Sequence, residues 1–386
     1  MTQLPESGFG LYIHWPFCES KCPYCDFNSH VADRIDHDIW LNAYLSEIER
    51  VSRETSDRVL TSIFFGGGTP SLMAPKTVSE LLNAVKRSWR ISNDIEVTME
   101  ANPGSVEAAK FKEFLYAGVN RLSIGVQALN DADLRRLGRM HSATEARRAI
   151  DIAMSTFDRV SFDLIYARQN QSLTDWHAEL QQALAIGTKH LSLYQLTVED
   201  GTVFQQRHSR GQLGGLPNDD LSADMYDLTQ TLCDDHGLPA YEVSNHSTPG
   251  QESRHNLIYW RGGDYIGIGP GAHGRITLGG QRYATDCFRQ PKAWLTALQD
   301  SKSGESVRDT LPQQEILIEY LMMGLRVSEG ISIRKANFLG LSPATKKEVS
   351  ALVESGHLVA DDHTVKATRS GRLVLNAVIR ALTNTI

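Results

Sequence analysis

The chain has 386 residues, of which 41% are hydrophobic and 22% are charged, and its net charge is −7. This length predicts one large domain and a smaller one, because single hydrophobic cores stop growing at roughly 250 to 300 residues. The acidic balance argues against a nucleic-acid partner, which usually requires a basic surface. There is no run of about 18 apolar residues and no basic, apolar leader at the start, so we expect a cytoplasmic protein without a membrane span.

Short apolar segments alternate with helical stretches through the first 245 residues. The predicted strands are 11–15, 62–67, 95–100, 121–126, 159–166, 190–196 and 240–245, and the predicted helices are 38–53, 77–89, 105–117, 143–156, 173–187 and 219–236. Asp131 and Ser142 stand where helix caps are expected. Each crossover returns the chain to the same edge, so the strands are expected to be parallel. Six or seven such units predict an α/β fold with a (β/α) barrel, complete or partial.

A doubly wound open sheet is the alternative, but its glycine fingerprint is missing after the first strand. After about residue 295 the pattern becomes helical, with predicted helices at 312–326, 332–339, 343–356 and 368–383 and a small hairpin in VADDHTVKA. The predicted division is therefore a barrel core (1–245), a connecting segment (246–295) and a mostly helical C-terminal domain (296–386).

Three of the five cysteines lie within eight residues, directly after the first predicted strand. Cys18, Cys22 and Cys25 form a C-x3-C-x2-C pattern, and three thiolates leave one iron of a [4Fe–4S] cluster open. In the class of proteins with this motif, S-adenosylmethionine chelates that iron, and an electron from the cluster breaks a carbon–sulfur bond to release a 5′-deoxyadenosyl radical. Cys233 and Cys287 are isolated, and we interpret them as buried or incidental thiols.

Three other interpretations of the cysteines remain. A structural zinc site prefers four ligands, and no further pair completes one. A ferredoxin-like cluster usually has a fourth cysteine nearby, where Phe27 stands instead. Cys22 to Cys25 also has the C-x-x-C spacing of a redox dithiol, although the extra Cys18 fits that class poorly.

Polar and glycine residues follow later strands of the predicted barrel. The loop GGGTPS (66–71) lets the backbone approach a ligand, and taken alone its glycines are explained equally well by a tight turn. Beside the cysteines, its backbone groups are expected to bind the methionine amino end of the cofactor. Glu100 and Asn102 end the third strand, and Glu100 can accept hydrogen bonds from ribose hydroxyls or an ammonium group. Gln127, Arg139 and Asp163 lie at or beyond the ends of later strands. Together these side chains predict a polar rim around a cofactor.

The strings YIHWPFC, CPYCDF, FFGGGTPS, ME-x-NP, GVQ and FDLIY resemble the oxygen-independent coproporphyrinogen III oxidase family of radical SAM proteins over nearly the whole chain. The resemblance implies that Cys18, Cys22 and Cys25 hold the cluster. It implies an S-adenosylmethionine site made of Tyr12, Tyr24, Gly67, Gly68, Thr69, Glu100, Gln127, Arg139 and Asp163. It also implies that the segment with EYLMMGLRVSEGI is the family's C-terminal domain.

Two differences from the oxidase sequence pattern and one further motif indicate which branch of that family the chain resembles. The oxidase has a further cysteine two residues after the third ligand and a longer N-terminal arm, whereas Phe27 stands at that place here. The segment 167–171 replaces the Gly-Leu-Pro of relatives, so its loop is expected to differ in shape. HNLIYW (255–260) resembles the HNxxYW motif of the HemW-type heme chaperone branch, which implies that His255 binds heme.

Three functional hypotheses follow. In the first, the protein binds heme near His255 and delivers it to respiratory or heme-storage proteins. In the second, it decarboxylates coproporphyrinogen III as a radical enzyme, and in the third it is a radical enzyme with another substrate. A structural alternative is that HNLIYW closes the last strand, with His255 bonded to backbone. The sequence allows a homodimer and leaves enzymatic activity undecided.

Overall fold

The structure is a computed structural model that describes residues 7–32 and 34–386. Its strands are β1 (Phe9–Trp15), β2 (Phe17–Cys18), β3 (His30–Val31), β4 (Val59–Gly67), β5 (Arg90–Ala101), β6 (Arg121–Gln127), β7 (Arg159–Tyr166), β8 (His190–Gln195), β9 (Asn245–Ser247), β10 (Asp264–Ile268), β11 (His273–Leu278), β12 (Gln281–Cys287), β13 (Glu305–Thr310), β14 (Ile331–Ser332), β15 (Leu358–Ala360) and β16 (Thr364–Ala367).

The helices surround these strands. They are α1 (His37–Thr55), α2 (Pro75–Ser88), α3 (Ser105–Ala109), α4 (Phe111–Ala117), α5 (Asp131–Arg136), α6 (Ala143–Thr156), α7 (Leu173–Ala185), α8 (Val203–Ser209), α9 (Asp219–Asp235), α10 (Arg254–Trp260), α11 (Pro291–Asp300), α12 (Gln313–Gly324), α13 (Ile333–Phe338), α14 (Pro343–Glu354), α15 (Arg369–Leu373) and α16 (Leu375–Thr383). A short 3₁₀ helix spans Pro70–Leu72.

One large sheet dominates the molecule. In the described part of the chain it has eleven strands, in the order β13-β12-β11-β10-β1-β4-β5-β6-β7-β8-β9. The strands from β10 through β1 and β4 to β8 are parallel, whereas β9 and β11 to β13 are antiparallel additions. Six parallel strands, β1 and β4 to β8, alternate with helices as predicted. Successive residues of β1 are buried on both faces, which is typical of a sheet covered by helices.

The barrel is partial. β8 pairs with β9 rather than with β1, so the strand order within the described residues ends at two edges. This arrangement agrees with the predicted α/β fold with a partial (β/α) barrel. It leaves the carboxyl ends of the parallel strands on one rim.

The predicted strand 240–245 is wrong for most of its length. Ala240 and Glu242 make only isolated bridges, and β9 begins at Asn245 and runs antiparallel to β8. The chain turns here because the Glu242 carboxylate accepts bonds from the amide of Ser244 and from the Asn245 side chain at 3.0 and 2.5 Å. Buried aromatic and β-branched residues therefore belong to a turn, although their pattern predicts a strand.

Helix boundaries differ from the predictions in three places. The predicted helix 105–117 is interrupted at Lys110, and the predicted helix 368–383 is interrupted at Val374. Ser142 caps α6 as predicted, but the cap of α5 is Asn130. The Asp131 carboxylate instead accepts a bond from the Ala143 amide at 2.7 Å and so joins the two helices.

A second, smaller core lies in the C-terminal region. It is built on Leu317, Leu321, Val365 and Val378, and its small sheet has the order β14-β16-β15. The predicted hairpin is present as β15 and β16. The helices agree with the predicted mostly helical region, while β13, at residues 305–310, belongs to the large sheet. No helix among residues 7–32 and 34–386 is long and apolar enough to cross a membrane.

Candidate functional site

The three cysteines of the motif lie in one loop on the rim of the barrel. Cys18 ends β2, which pairs in parallel with β3, so the loop between these two strands carries Cys22 and Cys25. The Cys25 amide donates to the Cys22 carbonyl oxygen at 3.1 Å and makes a tight turn. All three thiols are free and half-buried, and burial raises the pKa of Cys18 and of Cys25.

Asn28 and His14 anchor this loop to the barrel. The Asn28 amide nitrogen donates to the carbonyl oxygens of Pro270 and Arg289 at 2.9 and 2.8 Å. The Asn28 carbonyl oxygen lies 2.9 Å from Nε2 of His14, a buried side chain of β1. Burial lowers the pKa of His14 to about 4, so its neutral ring has a proton on Nε2 to donate to this oxygen. Neither residue was predicted from the sequence, although a histidine within the apolar strand YIHW is a detectable signal.

The glycine loop packs directly against the cysteine strand. A Cβ atom on Gly68 would lie 2.6 Å from the Phe17 carbonyl oxygen, and Gly67 has a φ of +111°. The amides of Gly68 and Thr69 donate to the carbonyl oxygens of Trp15 and Phe17 at 2.7 and 2.8 Å. Glycine is therefore required here for packing as well as for any approach of a ligand.

Thr69 and Arg139 bring polar atoms to the thiols. Thr69 Oγ1 lies 3.4 Å from the sulfur of Cys18, and Arg139 Nη1 lies 3.4 Å from the sulfur of Cys22. Asn102 bridges the two, because its amide nitrogen donates to Thr69 Oγ1 at 3.2 Å and its oxygen accepts from Arg139 Nη2 at 2.6 Å. Three predicted residues from separate loops, after β4, β5 and α5, thus meet beside the cysteine loop.

Tyr24 and Gln127 lie in the same neighbourhood. Burial raises the pKa of Tyr24, and the neighbouring Arg139 opposes this rise. Gln127 ends β6 with a φ of 74°, in the left-handed region that non-glycine residues rarely adopt. Its amide and the Arg139 guanidinium both approach Gly125, within 3.0 and 3.6 Å of where a Cβ would stand. Polar side chains are therefore packed closely together at the carboxyl end of β6.

A cavity of about 300 Å³ opens inside the barrel and is lined by Tyr12, Glu100 and Asp163. Burial raises the pKa of Glu100 to about 8, with a further contribution from the charge of Asp163. Burial likewise raises the pKa of Asp163 to about 6. The Gly67 amide donates to Glu100 at 3.2 Å and connects the cavity to the glycine loop. Two half-buried carboxyl groups facing one cavity are suited to a ligand with hydroxyl or ammonium donors.

His255 belongs to this cavity too. It lies on α10, only 1% exposed, with Nδ1 at 2.7 Å from Ser62 Oγ and Nε2 at 2.6 Å from the Tyr259 hydroxyl. Burial lowers its pKa to about 3. The motif is therefore helical, and the structural alternative of a strand with His255 bonded to backbone is wrong, because both ring nitrogens bond to side chains.

Further cavity residues that were not predicted from the sequence include Arg121, Ser192, Tyr194 and Asn245. Arg121 is 3% exposed at the start of β6 and donates to Ser161 Oγ at 3.0 Å. A buried arginine at the start of an apolar strand is a usable signal. Ser192, Tyr194 and Asn245 give no such signal in the sequence, because their position at the cavity depends on how β8 and β9 pair.

The residues present fit a four-iron cluster better than a single metal ion. In the described part of the chain no three His, Cys, Asp or Glu side chains are grouped closely enough to hold one ion. Each thiolate of a four-iron cluster binds a different iron, so its ligands are spread around the cluster. Arg139, whose Nε is buried without a partner among the described residues, places positive charge beside Cys22.

This fold and this cysteine loop define a radical SAM protein. Residues 12–181 match the Radical SAM superfamily, and residues 311–374 match the HemN C-terminal domain. Membership of the superfamily implies a [4Fe–4S] cluster and S-adenosylmethionine, which when bound together supply one-electron chemistry.

Within that superfamily, the chain belongs to the family that contains the heme chaperone HemW of Escherichia coli. It is 36% identical to that protein over 384 residues, covering 98% of each chain. It is 37% identical to the mitochondrial radical S-adenosyl methionine domain-containing protein 1 of Danio rerio, covering 96% of this chain and 85% of that one. The resemblance found in the sequence is confirmed.

The solved structure of coproporphyrinogen III oxidase (HemN) from E. coli has the same fold. The TM-score is 0.83 at 19% identity, over 100% of this chain and 92% of that one. At this identity the likeness shows the fold alone.

Proposed function

We propose that this protein is a heme chaperone, which binds a [4Fe–4S] cluster, S-adenosylmethionine and heme and delivers heme to hemoproteins. One observation carries the proposal: His255 of the HNLIYW motif lines the same cavity as Glu100 and Asp163. The histidine of the heme motif and two carboxyl groups of the expected cofactor site therefore face one cavity. Family membership supports the same function, since relatives at 36% identity are named heme chaperones.

The cluster is proposed to bind Cys18, Cys22 and Cys25, with Arg139 providing positive charge beside it. The proposed S-adenosylmethionine residues share the rim and the adjoining cavity; they are Tyr12, Tyr24, Gly67, Gly68, Thr69, Glu100, Gln127, Arg139 and Asp163. Glu100 and Asp163 lack an ion-pair partner within 4 Å among the described residues, so donors on a ligand would satisfy them without displacing a cation.

His255 is proposed as the heme ligand. Its low pKa keeps the ring neutral at pH 7, which is the form that binds iron. Nε2 is held by Tyr259, so ligation requires this hydroxyl to move away. Tyr259 therefore controls when the imidazole is available.

Coproporphyrinogen oxidation is the second candidate, because the fold is shared with HemN. Phe27 argues against it: at the place of the oxidase cysteine stands an apolar side chain that is 57% exposed. The third hypothesis, a radical enzyme with another substrate, does not explain why the HNLIYW motif lies at this cavity.

The proposed function is tested by two assays on the anaerobically reconstituted protein. Titration with heme should give a Soret band with one heme per chain, and incubation with coproporphyrinogen III should give no decarboxylated product. Conversion of coproporphyrinogen without heme binding would reverse the ranking. The domain division at 245 and 295, a cytoplasmic location, a homodimer and the hemoprotein partners remain parts of the proposal.

A further inference from the structure

A second cavity, of about 630 Å³, lies between the antiparallel part of the large sheet and the C-terminal helices. Its volume is typical of a small-molecule site. Arg275 and Arg282, on β11 and β12, line one side, and Met323 and Lys335, on α12 and α13, line the other. Tyr259 lines this cavity as well as the one that contains His255.

Much of the lining is apolar, aromatic or flexible. Tyr265 and Tyr320 present rings, and Ile316 and Met323 present aliphatic and thioether groups. Aromatic faces pack well on flat apolar surfaces, and methionine adapts its shape to irregular ones. The cavity is therefore suited to a flat, largely apolar molecule.

The charge at this cavity is positive on balance. Arg275 is paired with Glu319 at 2.7 Å, so these two charges cancel. Arg282 pairs with Asp264 at 2.8 Å, but Asp264 is shared with Arg58, also at 2.8 Å. One carboxylate thus serves two guanidinium groups, and a positive charge is left over.

Lys335 adds a second uncompensated cation. Its ammonium group donates to the carbonyl oxygens of Arg261 and Gly262 at 2.7 and 3.4 Å and lies 4.7 Å from the centre of the Tyr320 ring. No carboxylate lies within 4.0 Å of it in the part of the chain that the structure describes. Burial lowers its pKa to about 8, so at pH 7 the group is still mainly protonated.

We propose that this second cavity is where the porphyrin ring of heme is held. The flat ring lies against Tyr265, Tyr320 and Met323, and its two carboxylates face Arg282 and Lys335. Tyr259 then stands between the ring and His255, at the place where its movement would expose Nε2. This inference rests on the proposed function for the identity of the ligand, and it adds the location and the recognition chemistry.

The test is a titration of the full-length protein with protoporphyrin IX, followed by porphyrin fluorescence, and with hemin, followed by the Soret band. Metal-free protoporphyrin separates ring and carboxylate recognition from iron ligation. Two variants probe the cavity: Met323→Trp fills it and Lys335→Gln removes a cation. Matched controls are Met154→Trp and Lys346→Gln, at exposed positions on α6 and α14. Thermal unfolding of each variant checks that it is folded.

Both cavity variants should bind protoporphyrin IX and hemin about tenfold more weakly than wild type, a loss typical of one charge-assisted contact or a blocked site. Protoporphyrin dimethyl ester, which lacks the carboxylates, should bind the wild type with a similar loss, and the controls should bind normally. His255→Ala should leave protoporphyrin affinity unchanged. Normal binding of both porphyrins by folded Met323→Trp and Lys335→Gln would overturn the location while leaving the chaperone proposal intact. Absence of hemin binding by the wild type would overturn both.

Discussion

The imidazole of His255 and the hydroxyl of Tyr259, one helical turn apart on α10, are joined by a hydrogen bond of 2.6 Å. The other ring nitrogen bonds to Ser62 at 2.7 Å. A histidine with both nitrogens engaged is held in a fixed orientation but is closed to iron. Tyr259 also lines the second cavity, so under the proposal made above its movement would couple entry of heme into that cavity to release of the His255 ring.

Removing the Tyr259 hydroxyl tests this link. Tyr259→Phe should bind hemin about two- to tenfold more tightly, because a hydrogen bond worth about 0.5–1.5 kcal/mol no longer has to be broken. The measurement is a Soret titration, with the exposed Tyr116→Phe as control. Weaker binding by Tyr259→Phe would mean that the hydroxyl contacts heme directly and does not block His255.

The cysteine assignment is tested by single substitutions. Cys22→Ser should lose most of the iron that reconstituted wild type retains, because a thiolate ligand is missing. Cys233→Ser, at a buried cysteine on α9 outside the motif, should keep the wild-type iron content. Iron analysis and EPR give the answer, and a Cys22→Ser protein with a full cluster would refute the ligand set.

Glu100 makes a prediction about pH. Its carboxyl group has a pKa of about 8 in the folded protein and about 4.5 when unfolded, so the folded state binds the proton more tightly. Its contribution to stability is therefore present at low pH and is lost as pH rises from about 4.5 through 8. In urea unfolding of the cofactor-free protein, the free energy of unfolding of Glu100→Gln should rise relative to that of wild type as the pH increases over this range. The relative increase should be on the order of a few kcal/mol. Parallel profiles for the two proteins would show that the carboxyl group is not perturbed.

The same variant tests the cofactor site. Glu100→Gln keeps the shape but replaces a carboxyl oxygen, which can accept a hydrogen bond from a ligand, by an amide NH2 group, which cannot, and it should weaken S-adenosylmethionine binding about tenfold. Equilibrium dialysis of the reconstituted protein measures this. Unchanged affinity would exclude Glu100 from the site.

The glycine loop is tested by adding one methyl group. Gly68→Ala should destabilise the protein by about 1–3 kcal/mol and lower its cluster content, since the new Cβ would stand 2.6 Å from the Phe17 carbonyl oxygen. Gly214→Ala is the control, because its Cβ would meet no atom within 4 Å. Wild-type stability and iron content in Gly68→Ala would show that the loop can shift without consequence.

The sequence predicted the parallel strands β1 and β4 to β8, because each contains an apolar or β-branched run that is largely buried, but it did not predict the parallel strand β10. It did not predict the antiparallel extension. β13 is exposed at Ser306, Val307 and Arg308, so its sequence has no pattern of alternating apolar residues that would predict a strand. It forms a strand because it pairs with β12. The turn at Glu242 was missed for the opposite reason, since its buried residues resemble a strand.

For the candidate site, local motifs predicted which residues matter but not how they meet. The cysteine spacing and HNLIYW are short-range signals. The bond between His255 and Ser62 joins residues 193 positions apart, and the path of Tyr259 between two cavities follows from the placement of α10. Such contacts arise from tertiary packing, which one sequence does not encode in any local pattern.

Heme transfer is the most direct test of the account. The reconstituted protein is loaded with one heme, separated from free heme, and mixed anaerobically with an excess of apomyoglobin, and transfer is followed by the Soret shift. We predict that wild type acquires heme with a histidine-type spectrum and passes it on, and that His255→Ala loses that spectrum and transfers little. A His255→Ala protein that binds and transfers heme like wild type would contradict the central claim.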